Sequence, residues 1–227
     1  EQSIKRFRSR YEGMVEPRRS YAAMVSTTDD YIRRILTQLD ALNLRENTIV
    51  VFMSDNGHSD EDYQITVDGH TSGYRKDHNY GANAGGGNTG KWIGAKGSFL
   101  EGGIRVPYFA KWPARIAPGS SSDETVCLTD LLATCAAILG DELPGDAGED
   151  SYDILPALVG EPYDGPIREA TVHHAGDGSF SIRQGRWKLE LTPSSGGYGN
   201  LDDEELRRRN LPAIQLYDLE ADIAETR

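Results

Sequence analysis

Asp55 and Asn56 stand side by side in Ser54-Asp55-Asn56-Gly57, directly after an apolar run over residues 48–53. A carboxylate beside a carboxamide offers two hard oxygen ligands, the type that Ca²⁺ or Mg²⁺ takes. The run before them is continuous and β-rich, which reads as a strand buried on both faces. In open α/β sheets, ligands bind at the carboxyl ends of the strands. Gly57 allows the backbone to turn sharply after the pair. Asn-Gly after a strand is also the commonest hairpin signal. These four residues therefore suit a metal pair and a plain turn alike.

A second group of candidates follows in GAKGSFLEGGIRVP, residues 94–107. Lys96 lies between Ala95 and Gly97, so little bulk separates its ammonium from a ligand. Lys and Arg near an Asp/Asn metal pair make a site for an anion bound to a cation. Glu101 would repel such an anion, so Glu101 and Arg105 are expected to form a structural ion pair instead. Between the two groups the chain is polar for about forty residues. A loop that long in a compact domain is functional or disordered. His70, His78 and Asn79 lie in it, either as substrate contacts or as plain surface residues. Residues 85–91 match the GxxxxGK pattern of a phosphate loop, but Trp92 replaces its Ser or Thr and no apolar strand precedes it. Nucleotide binding is excluded there.

The elements that must position these residues can be read from periodicity. Over residues 21–42, Met24, Val25, Ile32, Ile35, Leu36 and Leu39 recur at helical spacing, predicting an amphipathic helix that covers a sheet. A short connection leads to the 48–53 strand, so the two form half of an α/β repeat. A second short strand is expected at 108–110 and a helix over 123–140. Residues 141–150 read as a linker. From Thr171 onward, alternation with a Gly176-Asp177-Gly178 turn predicts an antiparallel meander. His173 and His174 are adjacent in it and point opposite ways, so at most one should face a ligand. Residues 202–209 read as a charged, solvated helix. Cys127 and Cys135 lie about 12 Å apart along a helix, too far for a disulfide. Both are expected to be buried structural thiols.

The chain has 227 residues, 37% apolar and 26% charged, an ordinary globular composition. Its formal net charge of −12 argues against nonspecific nucleic-acid binding. No apolar run approaches membrane-spanning length, and the opening EQSIKRFRSR is not a signal peptide.

SDNG closing a strand, followed by a polar loop and then GAKGSFLEGGIRVP, resembles the C-terminal half of the formylglycine-dependent sulfatases. The stretch YAAMVSTTDDYIRRILTQLDALNLRENTIVVF upstream, with GRWKLEL and QLYDLEADIAET downstream, extends the resemblance over residues 20–227. It implies an α/β fold: an alkaline-phosphatase-like sandwich with a central mixed β-sheet flanked by helices, plus a small C-terminal antiparallel α+β subdomain. Residues 1–140 would belong to the catalytic domain and 141–227 to the subdomain. Asp55 and Asn56 would be calcium ligands, with Mg²⁺ the lesser alternative. Lys96 would bind the sulfate group and act in catalysis, and His70 and His78 would touch substrate. The substrate would be a sulfated small molecule or sulfated glycan, and the compartment periplasmic or extracellular.

The family's nucleophile is a formylglycine made from the Cys of a Cys-x-Pro-x-Arg motif, and these residues contain none. Cys127 is followed by Leu128-Thr129-Asp130 and Cys135 by Ala136-Ala137-Ile138. The resemblance thus implies a C-terminal fragment, inactive alone, with its nucleophile upstream. The other readings are a phosphoesterase of the alkaline-phosphatase-like group and a non-catalytic calcium- or glycan-binding remnant.

Overall fold

The computed structural model describes residues 6–14, 18–58, 90–194, 196, 208, 210 and 212–226. The first long element is helix α1, Arg18–Ala41. Asn43 ends it in the left-handed region, at φ 57. The Leu44 N–H then reaches back to Leu39 O and the Asn43 N–H to Asp40 O, which satisfies the last carbonyls. Leu36 and Leu39 line a crevice with Val50, Lys111 and Pro113, so the C-terminal half of α1 lies over the strands. Elsewhere the expected covering face is open: Met24, Val25 and Ile35 are exposed, and only Ala23 and Thr27 of α1 are buried.

Strand β1, Val50–Met53, pairs antiparallel with β2, Tyr108–Lys111, in the register Val51↔Ala110 and Phe52↔Phe109. Burial on both faces is not what the chain shows. Phe52 is 45% exposed, because β2 is the one strand paired with β1 among the described residues. Between β1 and β2 in sequence lies a four-residue helix, α2, Glu101–Ile104, whose first three residues are buried.

A 3-10 turn, Leu128–Asp130, leads into α3, Leu131–Leu139. The helical segment thus begins five residues later than periodicity suggested. Asp130 decides the start, since its carboxylate accepts the Cys127 N–H at 2.6 Å. Because α3 is short and largely uncovered, Cys135 is exposed and Cys127 only half-buried, contrary to the expectation of two buried thiols. Asp130 also accepts the Tyr152 N–H and pairs with Arg168, tying α3 to the chain after residue 150. Helix α4, Leu155–Val159, follows.

Strands β3 (Thr171–His174), β4 (Phe180–Gln184), β5 (Trp187–Glu190) and β6 (Gln215–Asp218) form the expected antiparallel meander. Its two faces are inverted relative to ordinary amphipathic strands. Val172, Ile182, Leu189 and Leu216 share one row across the sheet, and Val172 is 63% exposed. The opposite face carries Thr171, Ser181, Lys188, Glu190 and Gln215, all buried. That polar face packs on the segment around Phe99 and Glu101.

Candidate functional site

The end of β1 and the 94–103 segment are locked together through their backbones. The Gly57 N–H donates to Gly103 O at 2.7 Å, and the Lys96 N–H to His58 O at 2.9 Å. Within the second segment, the Gly102 N–H donates to Ile93 O at 2.7 Å. Gly57 has no room for a side chain: a Cβ there would lie 2.0 Å from Gly102 O. Lys96 sits between Gly94 at φ 91 and Gly97 at φ 89, a local path that only glycine follows without strain.

The turn after β1 is held by its own side chains. Ser54 Oγ donates to Asn56 O, and Asn56 Nδ2 donates to Gly57 O at 2.7 Å. The amide donor is thus used inside the turn, and the amide oxygen is not needed for that bond. Asp55 is exposed beside it. Both residues line a cavity of about 750 Å³, together with Gly97 and Ser98 on one side and Arg168, His173, His174 and Phe180 on the other. Lys96 is exposed and its side chain is not among the lining residues, although its neighbours Gly97 and Ser98 are. His70 and His78 lie outside the described residues. Next to the pair, His58 Nδ1 is buried without a hydrogen-bond partner among the described residues.

Both His173 and His174 border this cavity. The reason is topological: β3 is an edge strand, so the cavity wraps around it and meets both faces. His174 stacks on Phe180, with ring centroids 4.6 Å apart. Burial, reinforced by the Lys188 charge, pushes the His173 imidazole down to about 4. His173 is therefore held in the neutral imidazole form near pH 7.

Glu101 and Arg105 form the expected ion pair, at 2.7 Å. The pair is one side of a larger buried cluster that the sequence did not announce. Lys188 is 0% exposed. Its ammonium donates to Phe99 O at 2.7 Å, pairs with Glu225, and lies 3.4 Å from Glu101 and 3.9 Å from Glu190. Burial works to raise the Glu101 carboxyl, but Lys188, Arg105 and Arg183 hold it below its ordinary value. Glu190 goes the other way: burial pushes it up to about 8, against Lys188 and with help from the Glu225 charge.

A pH dependence of stability follows. The unfolded chain releases the Glu190 proton near 4.5 and the folded chain near 8. The folded state therefore holds the extra proton between those values, and stability falls as pH rises. His173 opposes this only between about 4 and 6.5, where the unfolded chain holds the extra proton. From about pH 6.5 to 8 the Glu190 contribution stands unopposed by His173, and stability should drop by roughly 1.4 kcal/mol per pH unit per proton. Urea unfolding at a series of pH values measures it. Glu190→Gln should flatten that slope, and a parent with no slope would overturn the assignment.

A family model described as Sulfatase matches residues 2–140. The N-acetylgalactosamine-6-O-sulfatase of Bacteroides thetaiotaomicron is 33% identical over 199 residues, 86% of this chain and 35% of that protein. Mouse steryl-sulfatase is 37% identical over 142 residues, 63% of this chain and 20% of its own length. Mouse N-acetylgalactosamine-6-sulfatase is 30% identical over 172 residues, 75% of this chain and 29% of its own. The chain thus spans about a third or less of the length of these curated relatives. Among solved structures, a B. thetaiotaomicron protein from work on metabolism of multiple glycosaminoglycans superposes with a TM-score of 0.70 at 28% identity, covering 92% of this chain and 40% of that one. Ps i-CgsB in complex with k-i-k-neocarrahexaose gives a TM-score of 0.68 at 25% identity, covering 98% of this chain and 41% of that one.

Proposed function

The chain belongs to the sulfatase family and has its alkaline-phosphatase-like fold, and on that premise we propose that it supplies a cation-binding pair and a sulfate-binding lysine to an enzyme that hydrolyses sulfate esters. The observation that carries this reading is the backbone lock between Gly57-His58 and the 94–103 segment. It ties the backbone that follows Asp55 and Asn56 to the backbone of Lys96, and Asp55, Asn56 and the Lys96 neighbours Gly97 and Ser98 line one cavity.

Asp55 and Asn56 would hold Ca²⁺, with Mg²⁺ the lesser fit. Their carboxylate and amide oxygens suit the ion chemically but make up only part of the roughly six or more oxygens it takes. Among the described residues no group of three or more His, Cys, Asp and Glu is placed to hold a metal. The pair is thus one part of a larger shell. When bound, the cation supplies Lewis-acid neutralisation of the sulfuryl oxygens. Lys96, exposed beside the cavity-lining Gly97 and Ser98, would add a positive charge for the same oxygens, most effective where water is excluded.

Neither cysteine suits the nucleophile's role. Both lack the Cys-x-Pro-x-Arg context, and burial pushes the Cys127 thiol up, away from thiolate. The reading therefore assigns attack to a formylglycine outside these 227 residues. His173, neutral near pH 7, can donate or accept one hydrogen bond at the cavity. Sulfated glycans are the substrate class this reading favours, by similarity to relatives that bear N-acetylgalactosamine-6-sulfatase names. No helix among the described residues is long and apolar enough to cross a membrane. A periplasmic or secreted enzyme is the setting proposed.

The test is inorganic sulfate release by the full-length protein carrying this segment, with 6-O-sulfated N-acetylgalactosamine and an aryl sulfate as substrates. Phosphate release from a monoester without sulfate release would move the protein to the phosphoesterases. Binding of sulfated glycan without turnover would make it non-catalytic. The 227 residues alone, given calcium and either ester, should release no sulfate. Turnover by this chain that disappears in Lys96→Ala would place a nucleophile within it and defeat the assignment.

A further inference from the structure

Lys188 has no part in the chemistry above, yet it is a fully buried lysine ringed by the acidic side chains of Glu101, Glu190 and Glu225. Burying an ammonium is costly even when it is paired, and an apolar side chain of similar volume often holds a core as well or better. What an apolar side chain cannot do is donate to Phe99 O, as the Lys188 ammonium does at 2.7 Å. Phe99 is three residues from Lys96 and fully buried.

Lys96 itself is exposed, so packing does not set its direction and its reach depends on the backbone beneath it. That backbone is flanked by Gly94 and Gly97, the least restrained residue type. Three hydrogen bonds from outside the segment hold it between residues 96 and 99. His58 O accepts the Lys96 N–H at 2.9 Å, Gly97 O accepts the Gly176 N–H at 2.9 Å, and Phe99 O accepts from Lys188. The last two come from the C-terminal sheet and its β3–β4 turn. Glu225 strengthens the same point: one oxygen pairs with Lys188 and the other accepts the Glu101 N–H at 2.8 Å.

We propose that Lys188 is a positioning residue for Lys96, fixing the 96–99 backbone from the C-terminal sheet and so setting where the Lys96 ammonium meets a sulfate oxygen. This rests on the sulfate-binding role given to Lys96 above. It makes the C-terminal sheet a working part of the site, since that sheet orients a residue it never touches through its side chain.

The test is a double-mutant cycle in the full-length enzyme. Lys188→Met should lower kcat/KM for a sulfate ester by about 10²-fold, the scale of a misplaced reacting group. In a Lys96→Ala background the same change should cost less than about threefold, because the group being positioned is gone. If Lys188→Met does not fold, Lys188→Met/Glu225→Gln, which removes one charge of each sign, carries the cycle. Losses of equal size in both backgrounds, or no loss in the parent, overturn the proposal. Hydrogen exchange separates the two readings: the Lys96 and Ser98 amides should exchange about tenfold faster on loss of the Lys188 contact. Faster exchange in a protein that releases no sulfate would retain the anchor and defeat the sulfatase reading, and unchanged exchange would defeat the anchor.

Discussion

Asp55→Ala should abolish calcium binding in the full-length protein and lower sulfate release by about three orders of magnitude. The variant loses an oxygen ligand and a negative charge together, and an ion with two charges depends on both. The loss in rate is the scale of several kcal/mol of Lewis-acid stabilisation withdrawn from the transition state. The fold should survive, because Asp55 is exposed at the end of β1, where a substitution changes stability by no more than about 0.5 kcal/mol. Calorimetric titration with calcium measures the effect, and a variant that binds as the parent does would sink the assignment. Asn56→Asp should be milder, since it keeps an oxygen and adds charge. A larger loss for Asn56→Asp than for Asp55→Ala would mean that the two roles are reversed.

Lys96→Ala should lower kcat/KM for sulfate esters by about 10²- to 10³-fold, the usual loss when a preorganised stabiliser of developing charge is removed. The melting temperature should stay within about two degrees of the parent, because the side chain is exposed and the 96–99 backbone is held by bonds that the substitution leaves in place. Lys96→Arg should restore only part of the rate, since a planar guanidinium cannot occupy the place of a compact ammonium. A fall in stability of several degrees with turnover intact would make Lys96 structural. Steady-state kinetics and a thermal melt on the same preparations decide between them.

The two variants probe residues that were legible from the chain itself, and their neighbourhood shows where that legibility stopped. The helix at Arg18–Ala41 and the meander follow from spacing that repeats every 3.6 or every two residues, and β1 from a continuous apolar run. The Glu101–Arg105 pair follows from one helical turn. Alternation in the meander also separated the residues into two faces. It could not say which face turns inward, and the answer was the polar one. Nor could periodicity place the helix start after Asp130, because a cap works through one side chain and leaves no repeat.

The sequence by itself determined the local elements, the oxygen pair after β1 and the lysine between its glycines. Only the tertiary structure decided that both histidines of β3 border the cavity, because that depends on β3 being an edge. The same holds for the charge on Glu190, which burial sets. It holds most clearly for Lys188, whose partners Phe99 and Glu225 lie 89 and 37 residues away in the chain. A periodic pattern records which residues share a face over a few turns. What that face meets is fixed by contacts across distances that no local repeat encodes.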